Sequence, residues 1–401
     1  MTMPSIFQLI DSYKEDMVKT ISDIIAIPAI APQSGGSGES KRADYLEDLL
    51  KHFGQKVKRY DYKDTAGSIR SNLVTTFGSG EKILWILSHI DTVSAGDLSL
   101  WAHDPFKAYV KSGKIYGRGT SDNGQGVVSS LFALKALKES NADLKYRFGL
   151  ALVADEETGS EYGAKKLISE GLFRHDDLML VPDDGNDKGS QIEIAEKGIL
   201  WLRFKVHGKQ VHASTPALGV NAYRVSIQIL SALDKFLHSK YAAKDKLFKP
   251  PYSTFEMTKH EANVDSTNIV PGSETFYMDC RILPIYNPEK IRREITNIAE
   301  RIAAKSGASV EIETVNEEIP AKPTPASSTI VQMLIKSINA IKHVEPELVG
   351  IGGGTVAKFF RDLSMHSAVW ATLPDNAHQP NEYLKISDMV TDAKVFASLF
   401  V

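Results

Sequence analysis

The sequence predicts an α/β protein, a mostly parallel sheet flanked by helices, with a ferredoxin-like α+β domain inserted into it. Three observations predict this. Strand-length apolar runs such as Ile83–Leu87, Phe148–Ala154 and Leu178–Val181 alternate with helical periodicities, as expected of strands buried on both faces of a parallel sheet. Beyond residue 198 the pattern changes to apolar/polar alternation, as in Ile199–Val206, the mark of half-exposed antiparallel strands. The element order from there, β-α-β-β-α-β, is that of a split ferredoxin-like unit.

In chain order, residues 6–27 and 40–53 read as amphipathic helices joined by a flexible loop, Pro32–Glu39, rich in Gly and Ser. Strands at Ile83–Leu87, Tyr146–Ala154 and Leu178–Val181 alternate with helices at Gly124–Lys138 and Gly163–Glu170. The inserted part reads as a strand at Ile199–Val206, a helix at Asn221–Phe236 and strands at Ser253–Lys259 and Thr275–Ile282. A helix at Pro288–Lys305 and a strand at Ser309–Thr314 complete it. The proline-containing segment Ile319–Ala326 reads as a return linker. The expected division is a first domain of residues 1–198 and 317–401 and a second of 199–316.

Composition narrows the function classes. The 401 residues are 42% apolar and 24% charged, with a net charge of −3, so the chain can bury a full core. It lacks the basic excess of a nucleic-acid binder. The single cysteine, Cys280, rules out an internal disulfide framework and a cysteine-built zinc site. It reads as a small strand residue without a redox role. Residues 1–17 mix apolar side chains with Asp11, Lys14, Glu15 and Asp16, unlike a secretory leader. No apolar run approaches the roughly 18 residues of a membrane span. A cytoplasmic protein with neither membrane nor nucleic acid as partner is the simplest expectation.

The chemistry is concentrated at strand ends. One apolar strand runs into Ser88-His89-Ile90-Asp91, another into Asp155-Glu156-Glu157-Thr158-Gly159, a third into Pro182-Asp183-Asp184-Gly185. Open α/β sheets place their ligands at the carboxyl ends of parallel strands. Carboxylates gathered there would repel one another unless a cation neutralised them, so a divalent metal site is the economical reading. Each motif alone is an ordinary solvated strand end; their joint occurrence carries the weight. The glycine-rich turn Gly117–Gly124 adds Asp122, which would otherwise be a plain helix N-cap. The loop Asn376–Glu382 adds His378.

With these motifs in order, S-H-x-D-T-V at 88–93, G-R-G-x-x-D at 117–122, D-E-E-x-G at 155–159, P-D at 182–183 and A-H-Q-P-N-E at 377–382, the sequence resembles the di-zinc amidohydrolase family. That family includes acetylornithine deacetylase, succinyl-diaminopimelate desuccinylase, aminoacylase, carboxypeptidase G and carnosinase-like dipeptidases. The resemblance covers essentially the whole chain. It implies a zinc-peptidase-like catalytic domain with a lid/dimerisation domain, two Zn²⁺ per subunit (Co²⁺ or Mn²⁺ as substitutes), and a homodimer joined through the lid. It implies His89 and Asp183 on one zinc, Glu157 and His378 on the other, and Asp122 bridging. Asp91 would orient a ligand histidine.

The implied reaction is hydrolysis of an amide in a small amino-acid derivative, with water activated between the metals and Glu156 as general base. His212, in Gln210-Val211-His212-Ala213-Ser214, matches the lid histidine that supports the oxyanion. Asn268, Arg281 and the turn at Gly354-Thr355 match positions that meet a substrate carboxylate. Two departures bear on the substrate. The turn after Asp122 reads Asn123-Gly124-Gln125-Gly126 where many relatives carry a lysine. The segment Gly354–Lys358 lacks an aspartate common in deacylases. An N-acyl-amino-acid deacylase of the desuccinylase or deacetylase type is the leading expectation, with a dipeptidase or carboxypeptidase second.

Other classes fit poorly. Gly350-x-Gly352-x-x-Thr355 imitates a dinucleotide-binding turn, but its last glycine is missing and it comes late in the chain. No G-x-S-x-G elbow of a serine hydrolase occurs. A metal-free binding protein on the same fold is disfavoured because every ligand position and the Glu156 position hold competent residues.

Overall fold

The computed structural model describes residues 3–401. The chain divides into two compact units. One runs to Ile194 and resumes over Thr324–Val349 and Thr355–Val401; the other holds Ala195–Pro323 and Gly350–Gly354.

The first unit is built on an eight-stranded sheet in the order Lys58–Lys63, Ile69–Phe77, Arg147–Val153, Ile83–His89, Leu178–Gly185, Ser367–Ala371, Gln191–Glu196, Glu347–Ile351. Its centre is parallel: Ile83–His89 lies between Arg147–Val153 and Leu178–Gly185, and the last of these pairs with Ser367–Ala371. Antiparallel strands flank this centre. Leu84 and Ile86, and Trp85 and Leu87 on the opposite face, are all buried. Each side chain so buried contributes roughly 1.5–3 kcal/mol, which explains the unbroken apolar run. Trp85, Leu87, Val153, Met179 and Val181 share one core cluster with Phe360.

The second unit is a four-stranded antiparallel sheet in the order Thr254–His260, Ser273–Ile282, Gly198–His207, Ser309–Glu318. Numbered along the chain this is second, third, first, fourth, the ferredoxin-like arrangement. Leu202, Phe204 and Val206 point into the core while Trp201, Arg203 and Lys205 point out. Phe204 stacks on its cross-strand partner Phe276 at 4.6 Å between ring centres. The helices Ala222–Lys240 and Pro288–Lys305 join the same core. Both start at an asparagine whose side chain caps the first turn, Asn221 accepting from the Arg224 N–H and Asn287 from the Lys290 N–H, each at 3.0 Å.

Several features differ from expectation, and of the eight strands in the first unit's sheet only Ile83–His89, Arg147–Val153 and Leu178–Gly185 fall on expected ones. The helix expected over 6–27 is two, Met3–Ser12 and Lys14–Ile25. Tyr13 leaves the helical path between them to pack on Phe132 and donate its hydroxyl to Glu139. The outer strands Lys58–Lys63 and Ile69–Phe77 were not expected; the first is polar and half exposed, as an edge strand must be. The strand at Leu178 continues to Gly185, with a register shift against Ser367–Ala371 between Val181 and Gly185, so Asp183 and Asp184 lie on the strand rather than after it.

Candidate metal centre

The carboxyl ends of the central parallel strands deliver the site. His89 is the last residue of its strand, Glu156 and Glu157 form a single turn just after theirs, and Asp183 lies near the end of the third. Asp155, in the left-handed region at φ 67°, reverses the chain into the Glu156 turn. Its buried carboxylate accepts from Arg70, whose guanidinium also binds Glu39. This buried ion network anchors the base of the turn.

Five expected ligands meet in two groups. His89, Asp122 and Asp183 form one; Asp122, Glu157 and His378 form the other; within each, the candidate ligand atoms lie within 4.8 Å of one another. His89 Nε2 is 2.8 Å from Asp122 Oδ1 and 3.2 Å from Asp183 Oδ1. His378 Nε2 is 3.0 Å from Asp122 Oδ2 and 3.1 Å from Glu157 Oε2. Asp122 thus turns one oxygen to each group.

The donor chemistry fits two divalent cations. His89 Nδ1 lies 3.1 Å from the Asp91 carbonyl. A proton donated there leaves the Nε2 lone pair facing two carboxylate oxygens, an arrangement that a cation relieves. Each group offers one imidazole nitrogen and two carboxylate oxygens, a set suited to Zn²⁺ and other first-row divalent ions. The charge balance agrees. Without a cation, burial holds Glu156 well above the usual carboxylate range, with Asp183 the next cause. Glu157 is raised by burial and then by Asp122. The two histidines are raised as well, His378 to about 10 through its contacts with Asp122 and Glu157. Protons here hold the places that cations would take.

Asp91 is fully buried. Its Oδ1 lies 3.5 Å from His89 Nδ1, farther than its own carbonyl, and its two carboxylate oxygens accept the backbone N–H groups of Glu156 and Glu157. Sequence reasoning gave Asn123 no role in the site. Its Nδ2 donates to the Pro182 carbonyl at 2.8 Å and to Asp183 Oδ1 at 2.5 Å, holding that ligand. The close approach requires Gly126, since a Cβ there would stand 2.4 Å from Asn123 Oδ1. The signal was present in Asn123-Gly124-Gln125-Gly126, but only the fold shows what the asparagine reaches.

A cavity of about 440 Å³ opens beside Asp122 and Asp183. Its wall includes Asp184, Asn186, Asp187 and Asp375, and no lysine or arginine among the described residues lining it.

The remaining candidates lie elsewhere in the chain. In the second unit, His212 pairs with Ile269 across a two-residue strand, and the Asn268 carbonyl accepts the Ala213 N–H. His212 Nδ1 accepts the Ser214 N–H at 3.1 Å. Arg281 donates through Nε and Nη2 to Asp279 and through Nη1 to the Gly352 carbonyl, so its guanidinium is already committed within its own unit. Gly354 belongs to the second unit and Thr355 to the first; the Thr355 hydroxyl accepts the Ala357 N–H at 3.2 Å.

Comparison with known proteins agrees with this architecture. An uncharacterized metallohydrolase of Methanocaldococcus jannaschii is 39% identical over 95% of this chain and 98% of its own length. A succinyl-diaminopimelate desuccinylase of Rickettsia felis is 26% identical over 93% of this chain and 96% of its own. The crystal structure of a tripeptidase from Staphylococcus aureus superposes with a TM-score of 0.77 at 21% identity, covering 96% of this chain and 97% of that one. The sequence model of peptidase family M20/M25/M40 matches residues 85–401, and the chain belongs to that family of metal-dependent hydrolases.

Proposed function

We propose that this protein hydrolyses the amide bond of a small amino-acid derivative at a two-zinc centre held by His89, Asp122, Glu157, Asp183 and His378. The observation that carries the reading is the pair of three-residue ligand groups sharing Asp122. When bound, two divalent cations supply polarisation of an amide carbonyl and acidification of a water molecule. Glu156, beside ligand Glu157, takes the proton of the attacking water and returns it to the departing amine. His212 fits the role of donor to the developing oxyanion. With the Ser214 N–H bound at Nδ1, the neutral ring carries its proton on Nε2, free to donate. Asn268 and the Gly354-Thr355 turn are proposed substrate contacts. Arg281 is a weaker one, because a substrate carboxylate would compete with Asp279.

The acidic cavity bears on the substrate. Asp187 is paired with Lys385 at 3.3 Å, so the wall charge rests on Asp184 and Asp375, which disfavour an additional anion and favour an ammonium group. Diamino-acid derivatives and dipeptides carry one; simple acetyl-amino acids do not. The desuccinylase or deacetylase reading therefore holds for acyl diamino acids, and the dipeptidase reading gains equal support. A panel on the zinc-loaded protein decides, with acetyl-ornithine, succinyl-diaminopimelate, simple dipeptides and acetyl-amino acids. At least tenfold higher kcat/KM for the ammonium-bearing substrates is expected. Preference for simple acetyl-amino acids would remove the charge argument, and no zinc-dependent amidase activity at all would remove the function.

Homodimerisation through the second unit is part of the same proposal. Tyr223 and Ile227, one turn apart on the helix Ala222–Lys240, are about half exposed. Light scattering on the purified protein tests it, and a strict monomer would exclude it.

A further inference from the structure

We infer that Glu382, which binds neither metal nor substrate, is the positioning residue that sets Asp122 against His378 and thereby governs occupancy of the second metal position. This rests on the two-metal reading above.

Glu382 is fully buried at the end of the loop that carries His378. Its carboxylate accepts its hydrogen bonds from the turn that carries Asp122. Oε2 accepts from Arg118 Nη1 at 2.6 Å and from the Gly119 N–H at 3.1 Å. Oε1 accepts the N–H groups of Ser121 at 2.9 Å and Asp122 at 3.2 Å, and the Ser121 hydroxyl at 3.1 Å. Three backbone N–H groups within four residues thus converge on one carboxylate, as in an anion-binding nest with the anion supplied by the chain itself. Such charge-assisted bonds are stronger than neutral ones.

The same carboxylate joins the two segments. Arg118 also donates through Nη2 to the His378 carbonyl at 3.3 Å. The Ser121 hydroxyl reaches Asn376, whose amide donates to the Tyr383 carbonyl at 3.0 Å. Tyr383 in turn pairs with Tyr116, just before the turn. Asp122 and His378 are thus delivered by two loops tied together at Glu382. His89 and Asp183 stand on neighbouring strands of the sheet, and their hydrogen bonds and ion pairs go to Asp91, Asp122, Asn123 and each other rather than to Glu382. One metal group draws two of its three ligands from the tied loops; the other draws one.

This asymmetry separates a positioning role from a general structural one. A glutamine at 382 keeps the shape but sets an NH₂ group against N–H donors on one side. Metal-free wild type and Glu382→Gln are titrated with Zn²⁺ against a competing chelator, with thermal melting of both. Wild type is expected to bind two Zn²⁺. The variant is expected to bind the first with near-normal affinity and the second ~10–100-fold more weakly, the usual effect of changing a group that orients a ligand. Its kcat should recover as Zn²⁺ is raised, with KM unchanged. Two wild-type-like affinities, or equal weakening of both, would overturn the inference. A wild type that binds no Zn²⁺ would overturn the metal reading and this inference with it. If Glu382→Gln does not fold, Arg118→Lys loosens the same clamp while keeping its charge. The same split, smaller in size, is then expected, and its absence counts against the inference.

Discussion

Asp91 holds Glu156 by its backbone: Oδ1 accepts the Glu156 N–H at 3.1 Å, while Oδ2 accepts that of Glu157, also at 3.1 Å. One buried carboxylate thereby sets both the proposed general base and its neighbouring ligand. Asp91→Asn presents an NH₂ group to one of these N–H donors. It should lower kcat by ~10–100-fold while leaving bound metal nearly intact. Steady-state kinetics with metal analysis checks this, and a wild-type kcat would show that the turn is held without Asp91.

Removing the base itself should be more severe. Glu156→Ala is expected to keep two metals and lose ~10²–10⁴-fold in kcat, the range assigned to general acid–base catalysis. Metal content measured beside turnover separates loss of the base from loss of the centre. Near-normal turnover would take Glu156 out of its role.

His212 sits in the second unit, where its Nδ1 accepts the Ser214 N–H. His212→Ala should fold normally and lower kcat by ~10²–10³-fold, more than it raises KM, as for loss of an oxyanion donor. An effect confined to KM would assign it to substrate binding instead.

Metal removal should destabilise the first unit, because the carboxylates of Asp122, Glu157 and Asp183 are then balanced only by protons held at the site. A chelator is expected to lower the Tm. Zn²⁺ added back at 100 times its Kd should restore about 2.7 kcal/mol per site. A Tm insensitive to Zn²⁺ would argue against a site bound in the folded state.

Asp392 provides a pH signature away from the metals. It is fully buried, accepting from the Thr372 N–H and hydroxyl and from Gln125 Nε2. Burial pushes its carboxyl up to about 6. The folded protein therefore holds this proton more tightly than the unfolded chain, where an aspartate titrates near 4. The resulting stability is fully present below about pH 4 and is lost as the pH rises through about 6, up to about 3 kcal/mol in all. Urea melts across that window should show a shallower pH dependence in Asp392→Asn than in wild type. An identical dependence would show that another group carries it.

Much of the fold was legible because burial leaves a local record. Ile83–Leu87 had to be a central strand, since both of its faces are covered. The alternation in Ile199–Val206 had to be a one-sided sheet. Lys58–Lys63 left no such record: an edge strand pairs through its backbone, so a polar sequence serves. The five ligands were legible as residue types at strand ends and loops, and resemblance supplied their grouping. Arg281 and Asp279, two apart on one strand, share a face and pair locally; that Arg281 also donates to the Gly352 carbonyl, 71 positions on, was not legible.

By itself the sequence determined the fold class, the absence of cysteine chemistry and the pool of acids and histidines from which a metal site could be drawn. Tertiary structure alone decided which oxygen of Asp122 meets which histidine, that Asp91 grips the Glu156 turn through both oxygens, and that Glu382 ties two loops together. Periodicity and capping are properties of neighbouring residues, so they can be read in order along the chain. The bond between Arg118 and Glu382 spans 264 positions, and a hydrogen bond accurate to tenths of an ångström exists only after the packed sheet has fixed where both loops begin.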